Sequence, residues 1–258
     1  MARTARIAAL AYGVACYALF FATFLYLIAF LADVAVPVTV DRGGLADDVG
    51  RALLVNAALL ALFGVQHSAM ARPAFKAWWT RFVPPAVERS TYVLASSLVL
   101  IVLFWQWRPI DAPVWEIEAP SLRAAVYGVF GLGVGLVLYS TMLIDHFDLF
   151  GLRQVVLYFR RRSYSERRFA LPSLYRLVRH PLYVGWLITF WAAPTMTAGH
   201  FLFALGMSAY ILLAIPLEER DLEALHGEPY RAWRERTPRF VPHIRPAAAA
   251  PVRAAREA

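Results

Sequence analysis

Six side chains able to hold or move a charge recur beside apolar runs: His67, His146, His180, Tyr183, Glu218 and Glu219. The densest grouping is RHPLY, residues 179–183, placed directly before a run apolar enough to enter a membrane. Charge is costly at such a boundary, and proline carries no backbone N–H. Pro181 nevertheless suits the first turn of a helix, where its missing donor is no loss. A helix start there presents free N–H groups to an anionic ligand group, with His180 and Tyr183 beside it. An ordinary interfacial helix start, with Arg179, His180 and Tyr183 as anchors, uses the same residues.

The elements that must place these residues follow from hydropathy. Of 258 residues, 60% are hydrophobic and 17% charged, against roughly a quarter charged in a soluble domain. Mean hydropathy is +0.51. The composition predicts an all-α polytopic integral membrane protein of about five to six transmembrane helices. Apolar segments fall at residues 7–32, 53–71, 92–107, 122–144, 182–196 and 201–217. The first exceeds a signal-peptide core of about 7–15 residues and reads as a retained span. The last two are short and separated only by residues 197–200, a helical hairpin that crosses or dips deep. A periodic charged stretch after Leu217 predicts a tail helix ended by Gly227 and Pro229. Residues 1–245 read as a single transmembrane domain and 246–258 as a disordered tail.

Charge sorts the loops. Residues 33–50 carry one basic and four acidic side chains, and 108–121 carry one and three. Residues 72–90 carry four basic and one acidic, and 145–179 eight and three. The positive-inside rule then puts both termini in the cytoplasm of a bacterial inner membrane. It also brings His67, His146, His180, Glu218 and Glu219 to one depth at the cytoplasmic face, with His200 in the outer turn. The single Cys16 excludes an intrachain disulfide framework.

RHPLYVG (179–185), EERDLEALHGEPYRAW (218–233) and TPRFVP (237–242) follow one another over the last quarter of the chain. In order and spacing they resemble the isoprenylcysteine carboxyl methyltransferase superfamily. FGVQHSAMARPAFK (63–76), IDHFDLFGLRQV (144–155) and FWAAPTMTAGH (190–200) make the whole chain more similar to its bacterial methanethiol S-methyltransferases. The resemblance implies S-adenosylmethionine as methyl donor, methanethiol as the small-molecule thiol substrate and dimethyl sulfide as product. It implies a cofactor role for Arg179, His180, Tyr183, Gly185, Glu218, Glu219 and Tyr230. Trp233 stands where relatives often carry a second tyrosine.

Given that donor, helix-start N–H groups and Arg179 suit its carboxylate. Glu218 or Glu219 suits the ammonium or ribose hydroxyls; a solvated helical turn is the plainer account of both. Tyr183, Trp186, Tyr230 and Trp233 offer faces for adenine or the sulfonium. A cysteine-like thiol has a pKa of about 8.5, so the site must remove a proton or stabilise sulfur anion as it forms. His146, with Asp145 or Asp148 to fix its tautomer, is the first candidate base, and His67 the second. Arg153 could lower the thiol pKa electrostatically. Interfacial anchoring or interspan hydrogen bonding would explain each of these residues without catalysis.

Other signals carry less. GLGVG (131–135) lies inside a span with no preceding strand, which fails the dinucleotide context; Gly131 and Gly135 instead predict close helix packing. RRRSYSERR (160–168) suits the anionic inner leaflet better than nucleic acid. No Cys/His spacing points to a metal. The rival acceptors are a prenylcysteine carboxylate or another lipophilic thiol or amine. A non-catalytic relative of the nitric-oxide-reduction-associated proteins, which share features around QHS (66–68), is the alternative outside enzymes. RHPLY together with the glutamate pair favours the enzyme.

Overall fold

The computed structural model describes residues 3–165 and 172–242; the proposed tail at 246–258 and the last three residues of the arginine-rich segment, 166–168, lie outside them. Five helices are long and apolar enough to cross a membrane: α1 (Arg3–Ala32), α2 (Val49–Ala71), α4 (Pro85–Gln106), α5 (Pro120–Ile144) and α9 (Ala198–His226). Shorter helices are α3 (Pro73–Trp79), α6 (His146–Leu149), α7 (Leu152–Phe159), α8 (Pro181–Trp191) and α10 (Glu228–Arg236). Strands β1 (Pro113–Glu116) and β2 (Thr195–Thr197) form an antiparallel ribbon. The bundle turns Leu54, Val65, Trp105, Leu132 and Leu213 outward, as a lipid-facing surface requires. Its core is aromatic, with Phe30, Phe104, Trp107, Phe190 and Phe203 in mutual contact. This is a multi-pass membrane protein.

The fifth apolar segment is only half helical. Eleven residues of α8 rise about 16 Å, roughly half of a hydrocarbon core. Pro194 stops the helix because it cannot donate to the carbonyl of Phe190. That carbonyl accepts instead from His200 Nε2 (3.1 Å), which accounts for a histidine buried at the turn. The chain continues extended: Trp115 Nε1 donates to Ala193 O (3.0 Å) and Ile117 N to Pro194 O (2.9 Å). Pairing of Glu116 with Thr195 completes the link. The hairpin therefore reaches the end of the bundle that holds the 108–119 loop, by helix and then by strand.

Its second arm is much longer than its apolar stretch. Helix α9 runs unbroken through Pro216 to His226, so Glu218 and Glu219 lie within it and do not open a separate tail helix. Gly227, at φ 63°, ends α9, and Pro229 then sits in the first turn of α10.

Helix α8 is held sideways against α5. A Cβ on Gly133 would meet Gly185 O at 2.9 Å, and one on Gly185 would meet Gly133 O and Val137 N at 2.8 Å. The two backbones touch because both positions lack side chains. Gly131 and Gly135, expected to make this contact, face outward with nothing within 4 Å. The glycine between them carries the packing, being in phase with the buried Phe130 and Val137.

Candidate active site

His180 precedes α8 in a non-helical conformation, with no side-chain cap of its own. Its ring is thereby free to turn toward α9, where His180 Nε2 lies 3.0 Å from Glu219 Oε1. One turn along α8, the Tyr183 hydroxyl donates to Glu218 Oε2 (2.7 Å), and the Tyr183 and His180 rings stack at 5.3 Å. RHPLY and the glutamate pair, 35 to 39 residues apart, thus form one cluster.

The two glutamates are committed differently. Glu219 is 6% exposed at its side chain and faces Arg179 Nε at 3.1 Å and Arg239 Nη2 at 3.6 Å. Glu218 is 39% exposed; among the described residues its partners are the Tyr183 hydroxyl and, at 4.0 Å, His180 Nδ1. Arg179, 12% exposed at its side chain, also donates to Arg234 O (2.7 Å). Burial pushes its pKa below the ordinary value, with Glu219 opposing. Arg179 therefore ties α8, α9 and α10 together, while Arg239, half exposed, retains an open flank.

The last described residues close the cluster. Arg179 N donates to Pro238 O (2.8 Å) and His180 N to Arg239 O (3.2 Å), laying the TPRFVP segment along the approach to α8. Trp233 Nε1 donates to Tyr175 O (2.9 Å), so this tryptophan fastens α10. Tyr230 is buried below; burial, reinforced by Glu219 and Glu218, pushes its phenol well above the ordinary range. Burial and Glu218 act on Tyr175 in the same direction. Gly185 and Trp186 turn elsewhere, Gly185 onto α5 and Trp186 against Phe24 and Phe190.

No protein-family model and no solved structure matches the chain. Curated proteins do. Over 231 residues it is 51% identical to the methanethiol S-methyltransferase of Mycobacterium tuberculosis, covering 90% of this chain and 94% of that one. Over 240 residues it is 51% identical to methanethiol S-methyltransferase 2 of Bradyrhizobium diazoefficiens, covering 93% and 92%. The chain belongs to the methanethiol S-methyltransferase family. Nurim of Mus musculus is a more distant relative, 34% identical over 201 residues that cover 72% of this chain and 76% of nurim.

For a methanethiol S-methyltransferase fold, the placement of the candidate bases matters most. His146 is 4% exposed and bonded at both ring nitrogens, to Tyr17 OH (2.8 Å) and Thr141 Oγ1 (2.9 Å). Burial lowers its pKa, with Asp145 opposing. Asp145 sits left-handed at φ 86° and caps Asp148 N, which makes the sharp α5–α6 turn. Arg153 pairs with Asp148 (3.1 Å) and covers the Tyr164 ring at 5.2 Å. Among the described residues, no hydrogen bond or ion pair joins His146, Asp148 or Arg153 to His180, Glu218 or Glu219. His67 lies on α2 against α4 and α9, bonded to Tyr92 OH (2.8 Å) and Ser96 Oγ (3.2 Å), with the Tyr210 ring 6.3 Å away. Tyr210 reaches this position because a Cβ at Gly64 would meet its ring at 2.9 Å. Beyond His67, Arg72 at the end of α2 pairs with Asp221 of α9 (2.6 Å), which sets α2 beside the stretch of α9 that carries Glu218.

Sequence reasoning missed Tyr92, Ser96, Tyr210 and Arg239. Tyr92 and Ser96 share a helix face by their spacing of four, which was a usable signal. Arg239 was visible within TPRFVP as the cation nearest the motif's end.

Proposed function

We propose that the protein transfers the methyl group of S-adenosylmethionine to methanethiol, giving dimethyl sulfide, at the end of the bundle that carries His180, Glu218 and Glu219. The basic loops support placing that end, and both termini, on the cytoplasmic side of a bacterial inner membrane. Family membership along nine-tenths of the chain supports the reaction. The geometric observation that carries the site is the unequal commitment of the two glutamates.

The donor, when bound, supplies an electrophilic methyl on a sulfonium beside an ammonium and a carboxylate. Glu219 is neutralised by Arg179 and Arg239 and frames the site. Glu218 has no guanidinium partner among the described residues, so its carboxylate is available to an ammonium or to ribose hydroxyls. Arg239, half exposed beside it, suits the donor carboxylate better than the less exposed Arg179. Arg179, Arg239, Glu218 and Glu219 together sum to zero charge, which fits a zwitterionic group. The stacked His180 and Tyr183 rings give a flat wall on which adenine can pack or the sulfonium can rest. Enclosure between helices aligns sulfur with methyl and excludes water. Methanethiol partitions into lipid and can enter laterally.

Headspace analysis of purified protein given methyl-labelled S-adenosylmethionine and methanethiol tests the reading. Labelled dimethyl sulfide is expected from the wild type, with strong loss in Glu218→Gln. Folded protein that binds S-adenosylhomocysteine but makes no dimethyl sulfide would refute methanethiol as acceptor.

A further inference from the structure

Two hydrogen-bonded chains in the bundle are built alike. In one, Ser96 Oγ donates to Tyr92 O (3.1 Å), Ser96 Oγ meets His67 Nδ1 (3.2 Å), and His67 Nε2 meets Tyr92 OH (2.8 Å). In the other, Thr141 Oγ1 donates to Leu138 O (2.7 Å) and meets His146 Nδ1 (2.9 Å), while His146 Nε2 meets Tyr17 OH (2.8 Å). In each, the serine or threonine hydrogen is used on a backbone carbonyl. Its oxygen therefore accepts from the imidazole Nδ1–H, and the Nε2 lone pair accepts the tyrosine proton. Each imidazole is fixed in one tautomer with its basic nitrogen on a phenol, and each phenol oxygen keeps lone pairs with which to accept a further proton.

Their surroundings differ. Tyr17 is ringed by Phe20, Phe147 and His146, on the α1 side of the bundle. Tyr92 bonds His67, whose ring lies 6.3 Å from that of Tyr210, and Arg72 at the end of α2 pairs with Asp221 of α9 (2.6 Å), so this chain runs beside the stretch of α9 that carries Glu218. The Arg89 guanidinium stands 4.9 Å over the Tyr92 ring and is itself anchored by donating to Leu149 O (2.6 Å). A fixed cation at that position favours electron density on the phenol oxygen.

We propose that Tyr92 and His67 deprotonate the thiol, with Tyr92 the group that touches it and Ser96 a positioning residue that fixes the His67 tautomer. The proposal rests on the methyl-transfer reading above. The S–H bond breaks as the Tyr92 oxygen takes its proton, and the Tyr92 proton moves to His67 Nε2. The sulfur electron pair forms the new bond to the methyl carbon, and the old carbon–sulfur pair stays on the departing thioether. Dimethyl sulfide leaves, S-adenosylhomocysteine remains neutral at sulfur, and His67 holds the proton until water takes it. Tyr92 ends each turnover neutral. His146 and Tyr17 are then an interhelical tie.

The test separates deprotonation from every other step by acceptor acidity. Tyr92→Phe keeps the ring under Arg89 and removes only the hydroxyl. It is expected to lower kcat for methanethiol by about 10²–10⁴-fold, the usual range for general acid–base assistance. For methaneselenol, a far stronger acid that needs no base, the loss is expected to stay within about tenfold. S-adenosylhomocysteine affinity is expected to change little. His67→Gln should share this pattern; Ser96→Ala should show it weakly, with recovery in Ser96→Thr. A second readout needs no variant: methanethiol added to the wild-type S-adenosylhomocysteine complex, below the pKa of the free thiol, should give thiolate ultraviolet absorption. Equal losses for thiol and selenol in Tyr92→Phe, no thiolate signal in the wild type, or the selective loss found in Tyr17→Phe instead would each overturn the proposal. A wild type that makes no dimethyl sulfide would fail the underlying reading instead.

Discussion

Replacing Glu218 and, separately, Glu219 by glutamine makes one chemical change at adjacent positions, with opposite expected consequences. Glu219 is 6% exposed and faces Arg179, itself 12% exposed at its side chain, at 3.1 Å. Neutralising it leaves that guanidinium without its counter-charge. Breaking such a buried pair costs about 3–5 kcal/mol, and the remaining amide oxygen argues for the low end, about 3 kcal/mol. For a chain of this size that corresponds to a fall in Tm of roughly 6–12 °C. Glu218 is 39% exposed, and glutamine can still accept the Tyr183 hydroxyl. Stability should therefore move by no more than about 0.5 kcal/mol. Its charge is what a donor ammonium would use, and a hydrogen bond to a charged group contributes about 1.5–3 kcal/mol. The dissociation constant of S-adenosylhomocysteine should rise roughly 10- to 150-fold. Calorimetric titration and thermal unfolding of both variants in one detergent decide the matter. Equal loss of stability in both, or unchanged binding in Glu218→Gln, would refute the division of roles.

Tyr183→Phe keeps the stack on His180 and removes one donor, so S-adenosylhomocysteine should bind about 2- to 10-fold more weakly by calorimetry. Gly185→Ala drives a Cβ into the backbone of Gly133 and Val137; thermal unfolding should report a loss of about 1–3 kcal/mol, with Gly131→Ala near neutral as the control. The Asp41 carboxyl, in the loop between α1 and α2, accepts from Thr197 Oγ1 (2.6 Å). Burial first, then Asp33, raises its pKa from 3.8 to about 6, against the Thr197 bond and Arg42. The protonated acid is the form folding favours. Its stabilising contribution is complete below about pH 3.8 and is lost as pH rises through about 6. Melting temperatures across that window should fall for the wild type relative to Asp41→Asn; parallel profiles would contradict it.

The pairing of RHPLY with two glutamates was legible because a helix start and a helix interior at one depth have few ways to avoid each other. The break after Trp191 was half legible: Pro194 announces it, but β1 lies some 80 residues earlier and no local pattern points there. Arg179 reads from sequence as open to a ligand carboxylate, because nothing local to its motif points to the buried Glu219 that it pairs with. Gly133 was passed over for Gly131 and Gly135 because small-residue spacing does not fix helix phase. The sequence reading ranks His146 ahead of His67, on the strength of its neighbouring aspartates alone. Both have the same partner chemistry, and only the helix opposite each one distinguishes them.

The clasp of Pro238 and Arg239 on Arg179 and His180 bears on how the protein is made. Both strands of that contact come from the final third of the chain, and one comes from its last twenty-odd residues. While a ribosome is still translating α9, the N–H groups of Arg179 and His180 have no partner and Glu219 lacks Arg239. All five long apolar helices precede Pro238 and Arg239, so they can be inserted while the proposed donor site is unfinished. Release of the chain before Pro238 and Arg239 would leave an inserted bundle whose proposed donor site lacks its clasp.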